Sequence, residues 1–118
     1  MTHALLISVR FHDGRYHGAG DWPPSPARLF QALVAAAAKP VLSGANRDAL
    51  EWLERQAAPT IAAPAAHLGQ HVSLYVPNND LDAKGGDIRR VAEIRSSIKH
   101  IRPRLFDAAL PLLYVWRI

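Results

Sequence analysis

The sequence predicts an α+β fold, and three observations lead there. Residues 4–11 alternate apolar and polar side chains, as a half-buried strand does. Two helical stretches follow with no strand between them, and alternation returns at 71–76 and at 112–118. The resulting order is β, α, α, β, a basic element, β. This split β-α-β pattern suggests helices packed on an antiparallel sheet, an α+β sandwich of the ferredoxin-like sort. The 118 residues, 49% of them hydrophobic, are enough for one domain with a real core. A compact chain of this length has a radius of gyration of about 13–14 Å.

In the first strand Leu5, Ile7, Val9 and Phe11 take one face, while Leu6, Ser8 and Arg10 take the other. Residues 12–24 hold three glycines and two prolines and make no regular element. Ser25 reads as a helix N-cap with Pro26 at the first helical position. Leu29, Phe30, Leu33, Val34 and Ala37 then recur at helical spacing, and Pro40 ends the helix. A second helix fits 47–57, with Asn46 as cap, Leu50, Leu53 and Ala57 inward, and Pro59 as stop. Residues 60–70 read as loop with at most a short edge strand, and 71–76 as a strand closed by Pro77. Residues 78–87 have turn chemistry. Ile88, Val91, Ile94, Ile98 and Ile101 then predict an apolar stripe on a helix stopped by Pro103. Residues 112–118 form the last strand. A ferredoxin-like fold needs a second crossover helix and a fourth strand, so a chain ending there reads as a fragment or as half of a split protein.

Composition excludes several classes of function. With no cysteine there is no disulfide scaffold, Fe–S cluster, cysteine nucleophile or thiolate zinc site, which fits a reducing, cytoplasmic setting. No apolar run approaches the 18 residues that span a bilayer, and the N-terminus lacks a basic n-region, so neither membrane nor secretion is expected. The glycines at 14, 18 and 20 follow a strand, but the prolines behind them do not make a dinucleotide loop, and no cofactor is expected.

The charge is uneven. The formal net charge is +4, yet residues 84–104 alone carry +5. Of 14 basic residues 11 are arginine, which favours flat, bidentate contacts to phosphate or carboxylate. An anionic partner follows as a class.

Three groups of residues could carry function. In the first, the run Trp22-Pro23-Pro24-Ser25-Pro26-Ala27-Arg28 leads into a helix whose first turn holds a cation. The helix dipole prefers an acid there, and the free amides of that turn favour an anion, so Arg28 and the turn read as a phosphate seat. The plainer reading is a capped helix with Trp22 as a core plug and Arg28 in solvent.

The strand ending in Arg10-Phe11, the Gly14-Arg15-Tyr16 that follows, and the run from Trp22 to Ala36 closely resemble the start of a CRISPR-associated RAMP protein. This is the type I-G (formerly I-U) subunit of the Csb-two family, a fused Cas-five/Cas-six protein. Residues 49–54, Pro59, residues 61–64 and residues 73–80 are similar to the same family, so the resemblance covers essentially the whole chain. It is to the family's N-terminal part, which implies that the Cas-six-like half is expected to be missing from these 118 residues. The resemblance implies a ferredoxin-like, RNA-recognition-motif-like RAMP fold and a place in the Cascade surveillance complex. There a Cas-five-like subunit holds the 5′ handle of the CRISPR RNA. It also contacts the large subunit and a backbone subunit and meets target DNA through the complex. Many such subunits carry a basic projection, or thumb, that presses on the RNA, and 84–104 stands where one could lie. The matching motif carries RNA contact onto Arg10, Arg15, Tyr16, Trp22 and Arg28.

The second group is the basic stretch itself. On a helix from Asp87, the side chains of Arg95, Lys99 and Arg102 form one ridge about 60° wide at ~100° per residue. Arg89, Arg90 and Arg104 extend the charge around both ends. Clustered cations of this kind give sequence-independent affinity for phosphates. A solvated amphipathic helix, partly neutralised by Asp87 and Glu93, is the plainer reading, and a hairpin thumb is the alternative geometry.

The third group is His12 and His17, with Tyr16 between them and Lys99 and His100 far along the chain. Metal-independent RNA cleavage needs a base, an acid and a cation, and histidine serves either proton role. The plainer reading is exposed loop residues. His67 and His71 sit at i, i+4, but nearby proline and glycine argue against a helix there, so no metal site is expected. The resulting expectation is an RNA-binding structural subunit that is not itself an enzyme. The rivals are an endoribonuclease that processes CRISPR RNA and a basic protein-interaction module.

Overall fold

The computed structural model describes residues 2–18, 22–77, 86–93 and 96–118. In chain order the elements are β1 (Ala4–Val9), β2 (Arg15–Tyr16), α1 (Pro26–Ala37), α2 (Gly44–Glu54), β3 (Thr60–Ala62), β4 (His67–Leu68) and β5 (Val72–Pro77). A short 3-10 helix (Ile88–Glu93), β6 (Ser96–Ile101), β7 (Arg104–Leu105) and β8 (Leu112–Arg117) complete them.

Alternation along β8 puts Leu112, Tyr114 and Trp116 on one face, and these are the most deeply buried hydrophobic side chains: Leu112 and Tyr114 are 1% exposed. β8 lies between β1 and β3 and runs antiparallel to both. β1 and β3 are therefore parallel to each other, joined through α1 and α2, with the last strand inserted between them. The register sets Leu5 opposite Trp116, Ile7 opposite Tyr114 and Val9 opposite Leu112, while Ile61 meets Tyr114 from the other side. Leu29 of α1 and Leu53 of α2 close over this layer. Burying a side chain such as Leu112 this completely contributes about 1.5–3 kcal/mol.

Between β3 and β8 the chain makes one long excursion, an antiparallel ribbon in three stretches. β3 pairs with β8, β4 with β7, and β5 with β6. Between the Leu68–Arg104 and Val72–Ile101 pairs, residues 69–71 oppose only residues 102 and 103, a bulge that bends the ribbon and resets which side chains share a face. Pro103 has no N–H to give at that point, and the Gly69 N–H donates to the Pro103 carbonyl oxygen at 2.7 Å. β2 adds to the other edge of β7. A Cβ on Gly14, just before β2, would run into the carbonyl oxygen of Phe106, so glycine is what allows this close approach.

The ribbon makes the molecule long. Its principal extent is 66 Å and its radius of gyration 19.4 Å, well beyond the value for a compact chain of this length. Beyond the bulge, among the described residues, β5 and β6 pair only with each other.

The structure departs from the sequence expectations in three places. The predicted helix over 87–102 is instead a 3-10 turn followed by strand β6. Asp87 starts a helical turn, accepting from the Arg89 N–H at 3.0 Å, but 96–101, with its β-branched Ile98 and Ile101, pairs along its whole length with β5. Ile88 and Ile98 are exposed rather than part of a buried stripe; Ile94 lies outside the described residues, as does most of 78–87. α2 begins at Gly44 with Ser43 as cap, not at 47 with Asn46, because the Ser43 hydroxyl accepts from the Asn46 N–H at 3.1 Å. It ends at Glu54, where the Gln56 side chain donates to the Trp52 carbonyl at 2.9 Å. Residues 60–70 hold two short strands, not one at most. The last strand, read from its alternation, lies at the centre of its sheet, because β1 and β3 both pair with it.

Candidate nucleic-acid interface

Three prolines and a serine cap fix the path into α1, and the structure fastens that path at both ends. The Trp22 indole Nε1–H donates to the Pro64 carbonyl at 2.8 Å, and the Tyr114 hydroxyl donates to the Pro24 carbonyl at 2.7 Å. Burial, with Tyr16 nearby adding to it, pushes the Tyr114 phenol above its ordinary pKa. The Trp22 ring stacks on Phe106 with centroids 4.5 Å apart, and Phe11 and Tyr16 pack around the pair at 5.9 and 5.5 Å from Trp22. The structure thus brings Tyr16 and Trp22 together in a partly buried aromatic cluster. A Cβ on Gly18 would meet the Tyr16 ring and hydroxyl, and that hydroxyl is buried with no partner among the described residues.

Arg28 stands exposed in the first turn of α1, where its N–H donates to the Ser25 hydroxyl at 3.4 Å. It shares a shallow groove with Val9, Phe11, Tyr16, Gln31 and Tyr114. Arg10 is exposed just past β1. Arg15 is exposed on β2, with its Nε 3.6 Å from an Asp13 carboxylate oxygen. His12 and His17 are exposed on either side of β2, and neither has a hydrogen-bond partner among the described residues.

The basic stretch does not form one ridge. Lys99 lies on strand β6 and Arg102 in the bulge just past its end, so the helical spacing that would line them up is absent; Arg95 lies outside the described residues. Arg89 forms a two-pronged ion pair with Asp87 at 3.1 and 3.0 Å. This pair holds the carboxyl below its usual range and raises the guanidinium above its own. Arg90 and Arg104 each have partners within the chain.

One constellation was not singled out from the sequence. His71, just before β5, stacks on His100 of β6 with centroids 5.0 Å apart and planes 17° from parallel. His100 Nδ1 lies 3.1 Å from the Ser73 hydroxyl, and the Arg102 Nε–H donates to the Gly69 carbonyl at 3.0 Å. His67, Gln70, His71 and Arg102 line one concavity at this bend. The legible signal was the alternation His71, Ser73, Tyr75 on a single strand face. What could not be read was the pairing across 27 residues that brings His100 beside it. His67 and His71 are on β4 and at the foot of β5, and among the described residues no group of three or more His, Asp or Glu gathers to hold a metal. Among the described residues no helix is long and apolar enough to cross a membrane.

No curated protein and no solved structure matches the chain. A family model described as CRISPR-associated protein, GSU0054 family, matches residues 2–118. Because that match takes in both the sheet around β8 and the projecting ribbon, the chain belongs to the GSU0054 family of CRISPR-associated proteins, and its role lies in CRISPR–Cas defence.

Proposed function

We propose that the chain is an RNA-binding structural subunit of a type I-G Cascade effector, the Cas-five-like part of a Csb-two protein, holding the 5′ handle of the CRISPR RNA. The observation that carries this reading is the projecting β5–β6 ribbon within a CRISPR-associated chain, with the net +5 of residues 84–104 in and beside it. Parallel β1 and β3 with β8 between them support a ferredoxin-like RAMP core over 1–118, and the ribbon serves as its thumb. Arg10, Arg15 and Arg28 supply phosphate contacts at the root, and Arg89, Arg90, Arg95, Lys99, Arg102 and Arg104 supply them along the thumb. Tyr16 and Trp22 hold the loop that carries Arg15 and leads to Arg28. The backbone and large subunits are the protein partners, and target DNA is met through the complex.

Binding of a single-stranded RNA containing the repeat handle, measured against salt, tests the reading. Neutralising ~4–6 phosphates gives a slope of about −3 to −4 in a log–log plot, at about −0.7 per contact. A flat salt response, or binding of heparin as tight as that of RNA with no preference for the handle, overturns it.

A further inference from the structure

The two faces of the β5–β6 ribbon differ chemically. Register and alternation put Val72, Leu74, Lys99 and Ile101 on one face. The other carries Ser73, Tyr75, Ile98 and His100, and His71 joins it by stacking on His100; Arg102, just past β6, lines a concavity together with His71. Tyr75 is 71% exposed, so its ring is available to a partner. Residues 67–77 and 96–106, which make the ribbon and its foot, contain no Asp or Glu, while Lys99, Arg102 and Arg104 lie among them. The Arg102 Nε–H is committed to the Gly69 carbonyl, which fixes the guanidinium at the rim of the concavity. Its terminal nitrogens have no other hydrogen-bond partner among the described residues.

We infer that this face is a nucleotide seat for single-stranded RNA, with bases stacking on Tyr75 and on the His71–His100 pair and a phosphate held by Arg102. The seat rests on the RNA-binding reading above and adds to it a place and a mode. Flat rings on an open strand face stack unpaired bases whatever their identity, and a guanidinium beside them takes the connecting phosphate. The absence of carboxylates from both strands makes the face complementary to a polyanion rather than to a basic peptide.

The test compares a fluorescent 12-nucleotide single-stranded RNA with the same strand made abasic, using the full chain. Tyr75→Ala weakens binding of the intact RNA by about 5- to 160-fold, the span that base–aromatic stacking covers, and leaves the salt slope unchanged. Tyr75→Phe binds like wild type, which separates loss of the ring from loss of the hydroxyl. Arg102→Ala makes the salt slope shallower by about 0.7. The preference for intact over abasic RNA shrinks in Tyr75→Ala and in His71→Ala. Because Tyr75 is open to solvent, an unchanged melting temperature in Tyr75→Ala shows that the fold is intact. If wild type binds intact and abasic RNA equally, and Tyr75→Ala and His71→Ala match it, the seat is wrong while salt-dependent RNA binding still stands. If wild type binds neither RNA, both readings fall.

Discussion

The sheet around β8 and the β5–β6 ribbon start from the same kind of sequence and end in opposite surroundings. Leu112, Tyr114 and Trp116 alternate along one strand as Val72, Leu74 and Val76 do along another. The first set is covered by α1 and α2 and is buried; each member of the second is exposed, Leu74 at 46%. Alternation therefore specifies a strand but not its cover. Cover at the root comes from a helical crossover between two parallel strands, and among the described residues the ribbon has none. A two-stranded ribbon alone is marginally stable in water, so the ribbon draws its order from the bulged junction at Gly69 and Pro103 and from the root beyond it.

The largest effect expected from this contrast lies in the cores of the two regions. Leu112→Ala destabilises the chain by about 2–5 kcal/mol, whereas Leu74→Ala changes stability by no more than about 0.5 kcal/mol. Denaturant unfolding of the two variants measures the difference, and comparable losses would erase the distinction.

Tyr114→Phe comes next. It removes the hydroxyl that donates to the Pro24 carbonyl and leaves that carbonyl without its partner, at a cost of about 1–2 kcal/mol. It also changes the alkaline limb of stability. The Tyr114 pKa is raised in the folded chain, chiefly by burial, so the unfolded chain releases that proton first. Its contribution is complete below about pH 10, the ordinary phenol value, and is lost as pH rises beyond it. Melting temperature followed from neutral to alkaline pH shows a steeper decline in wild type than in Tyr114→Phe; parallel curves would contradict the burial argument.

A smaller and different effect is expected at Arg28. Its side chain is exposed in a first helical turn, where a cation is locally unfavourable, so Arg28→Ala changes stability by no more than about 0.5 kcal/mol while weakening RNA binding. A lowered melting temperature with unchanged RNA affinity would make Arg28 a structural residue. The smallest effect belongs to His12 and His17. Repeat RNA incubated with the chain in EDTA stays intact, and His12→Ala and His17→Ala change nothing. Site-specific cleavage lost in either variant would instead establish the endoribonuclease alternative.

Much of the root was legible in the sequence because its signals are local. The Ser25–Pro26 cap, the period of Leu29 and Leu33, and the alternation of β1 and β8 each depend on neighbours a few residues apart. The ribbon was harder to read. Its isoleucines at 88, 94, 98 and 101 fall at helical steps, and nothing within that stretch reveals that 96–101 has a partner at 72–77. The same long-range pairing hid the His71–His100 stack, and with it the contrast between the two ribbon faces. Trp22 was legible as either a plug or an RNA contact, and its packing on Phe106 comes from a residue 84 positions away in the chain.

Amide hydrogen exchange with and without the handle RNA tests most directly whether the ribbon is the part that meets RNA. In the free chain the amides of 72–77 and 96–101 exchange much faster than those of β1 and β8, since only the latter are covered by a core. On adding RNA, protection rises along 72–77 and 96–101 while β8 is unchanged. Protection that appears at the root alone, or nowhere, would contradict the assignment of the ribbon to RNA.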